Sequence, residues 1–266
     1  MTVRWKTRKS FQPASLIKQK GIVALHGFTG RGSDFAPLQA LCAEYSDWTC
    51  PDLPGHGPHP LTDANPQATI EQIDRVAEEN PNHRILLGYS MGGRAALHHA
   101  VSQPDYWDAL ILIGTNPGIS DPTERMGRER DDATLSQQIE EEGIEAFMAR
   151  WQEQPIIASQ STIKPQWRTA MQEARSEHSA YGLAQSLRQF GQGSIPDLWP
   201  KLSTLHCPIL LITGEQDEKY TAIAKKMLPL LPNGLHHTLS KSGHMAHIEA
   251  PEVAAVTIGK FLQQVA

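Results

Sequence analysis

Three residues of this 266-residue chain have the types and the order of a base-activated serine: Ser90, Asp217 and His244. Ser90 lies in Gly88-Tyr89-Ser90-Met91-Gly92, preceded by the apolar run Ile85-Leu86-Leu87 and followed by Arg94-Ala95-Ala96-Leu97. That pattern reads as a strand, a sharp turn and a helix, and its two glycines tolerate the tight backbone that lifts a hydroxyl above a sheet edge. A serine hydroxyl is a weak nucleophile or base until a histidine takes its proton, and the histidine needs a carboxylate to fix its tautomer and stabilise its cation. In the order serine, acid, histidine, the acid follows a late strand and the histidine lies in the last loop before the terminal helix. Asp217, in Gly214-Glu215-Gln216-Asp217, meets the first condition, and His244, in Ser242-Gly243-His244, meets the second. Glu215 is the alternative acid, although nearer the strand end, and His247 the alternative base; a Ser-Gly pair presents His244 and favours it.

Such a serine also needs donors for a developing oxyanion. The backbone N–H of Met91, at the helix start, and that of Phe28 or Thr29, in the loop His26-Gly27-Phe28-Thr29-Gly30, are the candidates. Arg94 follows Ser90 by four residues, so its side chain lies on the helix face that carries the serine. A guanidinium beside the positive end of a helix is useful where an anion binds, and an ordinary esterase gains little from it. Asp52 and His56, in Asp52-Leu53-Pro54-Gly55-His56-Gly57, read as a rigid loop bordering the pocket and not as a second catalytic pair.

The elements that would position these groups alternate. Gly21-Ile22-Val23-Ala24-Leu25, Ile85 to Leu87, Ala109 to Ile113 and Pro208 to Gly214 are short apolar runs, the mark of strands covered on both faces. Trp48 to Leu53 and Leu235 to Leu239 read as further strands. Helices are expected between them, one capped by Ser33 or Asp34, one by Thr69, and a last one from Pro251 to Val265. The first twenty residues offer material for an edge strand or two. Residues 116–200 are polar and helix-forming without a strand run, and read as a helical cap inserted into a core made of 1–115 and 201–266. A mostly parallel α/β sheet with helices on both faces is therefore expected, with ligands at the carboxyl ends of its strands.

Bulk properties narrow the function. A net charge of −5 argues against a nucleic-acid partner, so any anion bound must meet locally placed cations. No apolar run is long enough for a membrane-spanning helix, and the basic start is followed by no signal-like segment, so a cytoplasmic protein is expected. Cys42, Cys50 and Cys207 form no metal or disulfide spacing and read as buried apolar thiols. The remaining histidines, the pairs His98-His99 and His236-His237 included, are expected on surfaces or helix faces. No spacing among them resembles a zinc motif, so no metal is expected.

His26-Gly27-Phe28, Asp52-Leu53-Pro54-Gly55-His56-Gly57, Gly88-Tyr89-Ser90-Met91-Gly92-Gly93-Arg94 and Ser242-Gly243-His244 together resemble the α/β-hydrolase superfamily. More narrowly, Gly92-Gly93-Arg94, Asn116-Pro117-Gly118, Trp151 with Pro155 to Gln160, and Gly243-His244-Met245-Ala246-His247 resemble its 2-succinyl-6-hydroxy-2,4-cyclohexadiene-1-carboxylate (SHCHC) synthase family. That resemblance implies a cofactor-free lyase of menaquinone or phylloquinone biosynthesis acting on a small anionic substrate and releasing pyruvate by 2,5-elimination. It implies that Ser90 moves a proton and forms no acyl-enzyme. It also implies substrate contacts from Arg94, Tyr89, Arg128, Trp151, Arg175 and Lys219. A carboxylic-ester or thioester hydrolase would use the same triad without the arginines.

Overall fold

The computed structural model describes residues 21–44, 46–58 and 63–265. The expected edge strands of the first twenty residues lie outside that range. The elements follow in the order β1 (Gly21–Leu25), α1 (Ala36–Cys42), β2 (Trp48–Thr49), α2 (Pro66–Glu79), β3 (His83–Tyr89), α3 (Met91–Ser102) and β4 (Ala109–Ile113). After them come α4 (Pro122–Trp151), α5 (Pro155–Ala158), α6 (Pro165–Ser176), α7 (Ala180–Phe190), β5 (Ile209–Gly214), α8 (Glu218–Met227), β6 (Gly234–Leu239), α9 (Ala246–Glu249) and α10 (Pro251–Gln264).

The strands form one sheet in the order β2-β1-β3-β4-β5-β6, and each neighbouring pair is parallel. Their apolar runs are explained by burial on both faces. Val23, Leu25, Leu86, Leu110, Leu112 and Leu211 meet Ile73, Ala96, Leu97 and Met227 on one side. Ile22, Ala24, Ile85, Leu87, Ile111 and Ile212 meet Leu38, Ile258 and Phe261 on the other. Alternate residues of one strand thus serve two cores. Chain order reverses direction between β1 and β3, which brings the loop after β1 beside the turn after β3 at the carboxyl edge, the place where parallel sheets collect ligands.

Between β4 and β5 the described chain contains helices and no strand. Ile139, Phe147 and Met148 of α4 pack on Leu183, Ala184 and Leu187 of α7 as a third apolar cluster, and Phe28 of the core joins it. Helix α4 is broken at Gly143, whose φ of 78° belongs to the left-handed region.

Several local expectations need correction. Helix α1 has no side-chain cap; Asp34 instead accepts from the N–H of Arg31 at 3.3 Å and closes a single 3-10 turn ahead of the helix. Asn65, not Thr69, caps α2, because its side chain reaches the N–H of Ala68 at 2.9 Å. Strand β2 ends at Thr49, since Pro51 has no N–H to continue the ladder. Cys42 is buried, but Cys50 and Cys207 are only partly so, and all three are free. No described helix is long and apolar enough to cross a membrane.

Candidate active site

Strand β3 ends directly beneath Ser90, whose φ of 52° and ψ of −108° form a strained corner before α3 begins at Met91. The corner closes only because its flanks lack side chains. A Cβ on Gly88 would strike the backbone of Gly92, and one on Gly92 would strike the carbonyl of Leu25 in β1. The Ser90 N–H still donates to the carbonyl of Ile113 at 2.8 Å, so the turn stays registered on β4.

Ser90, His244 and Asp217 lie in one hydrogen-bonded line. The Ser90 hydroxyl is 3.0 Å from His244 Nε2, and His244 Nδ1 is 2.6 Å from Asp217 Oδ2. An ionised carboxylate only accepts, so the Nδ1 proton points at Asp217 and Nε2 is left to take a proton from Ser90. Asp217 Oδ1 accepts from the N–H of Tyr220 at 3.2 Å at the start of α8, which fixes the carboxylate itself. Glu215 accepts from the N–H of Lys241 at 2.9 Å and does not reach His244. His247 is fully buried between Phe35 and Tyr89, with neither ring nitrogen hydrogen-bonded; burial pushes it down to about 3.

The loop of His244 is held by a residue that local spacing did not reveal. Glu249 of α9 accepts from the N–H of Gly243 at 2.5 Å, from that of Met245 at 3.1 Å and from the Ser159 hydroxyl at 2.9 Å. It therefore brackets His244 on both sides and ties that loop to the segment after α5.

One cavity joins Ser90 and His244 to Phe28, Thr29, Tyr89, Met91, Arg94, Arg128, Trp151, Arg175 and Lys219. Asp217 stands behind His244 and does not line it. No hydrogen bond to a described residue occupies the backbone N–H of Phe28, Thr29 or Met91. The basic lining residues are Arg94, Arg128, Arg175, Lys219 and His244, whereas Asp34 is the acidic one among those described. A chain of net charge −5 thus concentrates positive charge at this edge of its sheet.

The cations differ in how far the protein satisfies them. Arg128 Nε donates to Asp132 Oδ1 at 2.7 Å and its Nη1 to Gln192 Oε1 at 3.3 Å. Arg125 and Arg130, its neighbours in sequence, are exposed. Arg175 gives one Nη1 bond of 3.0 Å to Gln160 Oε1, and its buried Nε has no partner. Arg94 is 6% exposed, its Nε has no partner, and its Nη2 reaches only the Phe190 carbonyl at 3.5 Å. Burial pushes Arg94 down to about 10, with Arg128 nearby acting the same way, yet it remains a cation at neutral pH. Asp34 is pushed up to about 6 by burial, against the attraction of Arg175. Trp151 stacks on Phe147 with ring centroids 5.6 Å apart and meets Phe28 edge-on at 5.5 Å, making an apolar wall.

The loop of Asp52 and His56 is not a second pair, but neither does it line the cavity. Asp52 Oδ2 accepts from Arg31 Nε at 2.8 Å and its Oδ1 from the N–H of Gly32 at 2.8 Å, while His56 Nδ1 pairs with the Pro54 carbonyl at 3.0 Å. The histidine expectation changes for His26, His56 and His178, which are buried outside any helix, whereas His98 and His99 lie on α3 as expected, with buried rings. His99, for instance, takes the Trp107 Nε1–H at 2.9 Å on Nδ1, which leaves Nε2–H for Asp74 at 2.9 Å. Among the described residues no cluster of three His, Cys, Asp or Glu side chains is arranged to hold a metal ion.

Comparison with known proteins agrees with this architecture. The alpha/beta hydrolase family pattern matches residues 22–256. A putative SHCHC synthase of Bacillus subtilis (strain 168) is 34% identical, over 92% of this chain and 91% of that protein. The SHCHC synthase of Photorhabdus laumondii subsp. laumondii is 32% identical, over 91% and 84%. Among solved structures, MenH from S. aureus aligns with a TM-score of 0.88 at 30% identity, covering 96% of this chain and 98% of that one. A thermophilic esterase from Thermogutta terrifontis aligns at 0.77 with 22% identity, over 92% and 90%, a likeness of fold. The chain thus belongs to the alpha/beta hydrolase family, as an enzyme whose relatives there carry the name SHCHC synthase.

Proposed function

We propose that this enzyme eliminates pyruvate from 2-succinyl-5-enolpyruvyl-6-hydroxy-3-cyclohexene-1-carboxylate to give SHCHC, a step toward menaquinone or phylloquinone. The observation that carries the reading is Arg94: a buried guanidinium with an unpartnered Nε in the cavity of Ser90 and His244. A buried charge whose donors the protein leaves incompletely paired costs free energy, and an anionic substrate offsets that cost. The names of the relatives support the same substrate.

In this reading Ser90 passes its hydroxyl proton to His244 Nε2 while its oxygen takes the ring proton next to the succinyl carbonyl. The electrons of the broken C–H bond move through the ring and expel the enolpyruvyl oxygen, which leaves as pyruvate after gaining one proton, and release of the proton held by His244 balances that gain and restores the resting enzyme. Negative charge gathers meanwhile on the succinyl carbonyl oxygen, where the N–H groups of Met91 and of Phe28 or Thr29 receive it. Asp217 holds the histidine tautomer and stabilises its cation. Arg94, Arg128, Arg175 and Lys219 bind the substrate carboxylates, Tyr89 and Trp151 shape the apolar part, and residues 116–200 act as the cap over a core of 1–115 and 201–266. No cofactor takes part in these steps.

The test is direct. Given the enolpyruvyl substrate, the enzyme is expected to release one pyruvate per substrate consumed. No release above background, together with ready turnover of small p-nitrophenyl esters, would replace the lyase by a hydrolase.

A further inference from the structure

We infer that His178 is a positioning residue, through which the segment between α6 and α7 holds the oxyanion loop in its working shape. The starting observation is strain. Thr29 has a φ of 63°, a left-handed conformation that a β-branched residue adopts only when its surroundings impose it. Something must therefore hold residues 27–31 in place.

Within the loop, the N–H of Gly30 donates to the Gly27 carbonyl at 2.9 Å. The hold on the Thr29 carbonyl comes from far away in sequence. His178 Nε2 lies 3.0 Å from the Thr29 carbonyl, across a separation of 149 residues, and the ring is 4% exposed. Its second nitrogen, Nδ1, lies 2.9 Å from the N–H of Gly57.

These partners fix the ring chemically. A backbone N–H only donates, so Nδ1 carries no proton and accepts from Gly57. A carbonyl only accepts, so Nε2 carries the proton and donates to Thr29. One neutral tautomer satisfies both bonds, and burial, which pushes His178 down to about 4, keeps it neutral. The ring thus clamps the loop after β1 to the 52–57 loop.

Neighbouring bonds seat the same segment. The N–H of Ser179 donates to the Gly57 carbonyl at 3.3 Å, and Arg31 Nη1 reaches Glu177 Oε2 at 3.1 Å and the Ala174 carbonyl at 3.4 Å. Arg31 also pairs with Asp52, so both loops meet the 174–179 segment at one seam. Arg175, which lines the cavity, is on that segment too. Seating of this segment and the aim of the Phe28 and Thr29 N–H groups are consequently one event: when His178 leaves, Thr29 loses the bond that stabilises its strained conformation.

The inference rests on the proposed function only for its kinetic consequence, so the experiment has two arms. In the first, hydrogen exchange of the full chain is followed by mass spectrometry for wild type, His178→Ala and His178→Gln. Loss of the ring is expected to speed exchange at residues 27–31 by about tenfold or more, leaving β3 and β4 unchanged. His178→Gln keeps an amide N–H for the Thr29 carbonyl and is expected to restore much of the protection. Unchanged exchange at 27–31 in His178→Ala would overturn the inference, as would a folded His178→Gln no better protected than His178→Ala. In the second arm, pyruvate release should lose about tenfold in kcat while KM changes less, with partial rescue by Gln. Equal loss in kcat/KM through KM alone would overturn the link to the oxyanion site. If wild type released no pyruvate, the proposed function would fall, and the exchange arm would still decide the role of His178.

Discussion

The two ends of the cavity are built on opposite principles. At the triad end the polar atoms of His244 and Asp217 meet protein partners: Nε2 has Ser90, Nδ1 has Asp217, Asp217 Oδ1 has Tyr220, and Glu249 holds the backbone on either side of His244. At the arginine end valences stay open, with Arg94 Nε and Arg175 Nε buried and unpartnered. Groups that must react in one geometry are satisfied in advance, which removes reorganisation from the chemical step. Groups that must bind are left incomplete, so that the ligand supplies what the protein withholds. The cost falls on the stability of the empty enzyme.

Substitutions should separate the two ends. The largest effect belongs to the triad: Ser90→Ala is expected to lower kcat for pyruvate release by about a thousandfold or more with little change in product affinity, measured by steady-state kinetics and calorimetric titration. A fall in affinity matching the fall in rate would mean that the triad end also binds. Next comes Arg94→Met, for which kcat/KM should drop by about a hundredfold or more. Its melting temperature should nevertheless rise by roughly a few degrees, because a buried charge with an unpartnered Nε has gone. A variant that lost both activity and stability would show Arg94 to be structural and erase the contrast. The same substitution should leave hydrolysis of a neutral ester, where any is detectable, almost unchanged.

Smaller effects concern the supports. Glu249→Gln keeps the shape but weakens the carboxylate's hold on the N–H groups of Gly243 and Met245, so kcat should fall by roughly tenfold with KM nearly constant. An unchanged kcat would remove Glu249 from the account of the triad end.

The smallest effect per residue concerns the frame that both ends share. Burial holds His98 and His178 at about 4 and His247 at about 3, whereas an unfolded histidine takes up its proton near 6.5. Their contribution to stability is whole above pH 6.5 and is lost as pH falls toward 4, because only the unfolded chain gains protons in that window. Asp34, at about 6 when folded, acts in the opposite sense, since the folded chain holds its proton to higher pH and gains slightly as pH drops through 6. At pH 5.5 each of the three histidines forfeits roughly 1 kcal/mol, so calorimetry should find the melting temperature lower by several degrees than at pH 7.5. A flat profile over that range would mean that these rings are not held neutral.

Much of this could be read from residue order, and the remainder has a physical reason for escaping it. Strands β1, β3, β4 and β5 were legible because burial on both faces leaves unbroken apolar runs. The placement of Ser90, Asp217 and His244 in one line was legible because the fold puts each at a strand end in a fixed order, and that of Arg94 in the same cavity because four residues on a helix bring it back to the same face. Arg128 could be told from Arg125 and Arg130 only by resemblance, since one helix carries all three and packing alone decides which faces the cavity. His178 and Glu249 were not singled out at all. His178 acts on Thr29 across 149 residues, and no local spacing encodes that meeting. Glu249 works through backbone N–H groups, which any sequence supplies. His26 and His178 were misjudged for a related reason: a ring looks polar in sequence, but one whose two nitrogens both find partners is a good interior residue.

The central claim is that Ser90 moves a proton and not an acyl group. Its most direct test is the intact mass of the enzyme, quenched by acid while it releases pyruvate from the enolpyruvyl substrate. The expected result is a single species at the unmodified mass throughout turnover. A transient species heavier by an acyl fragment, mapped to Ser90 and absent from Ser90→Ala, would contradict the account.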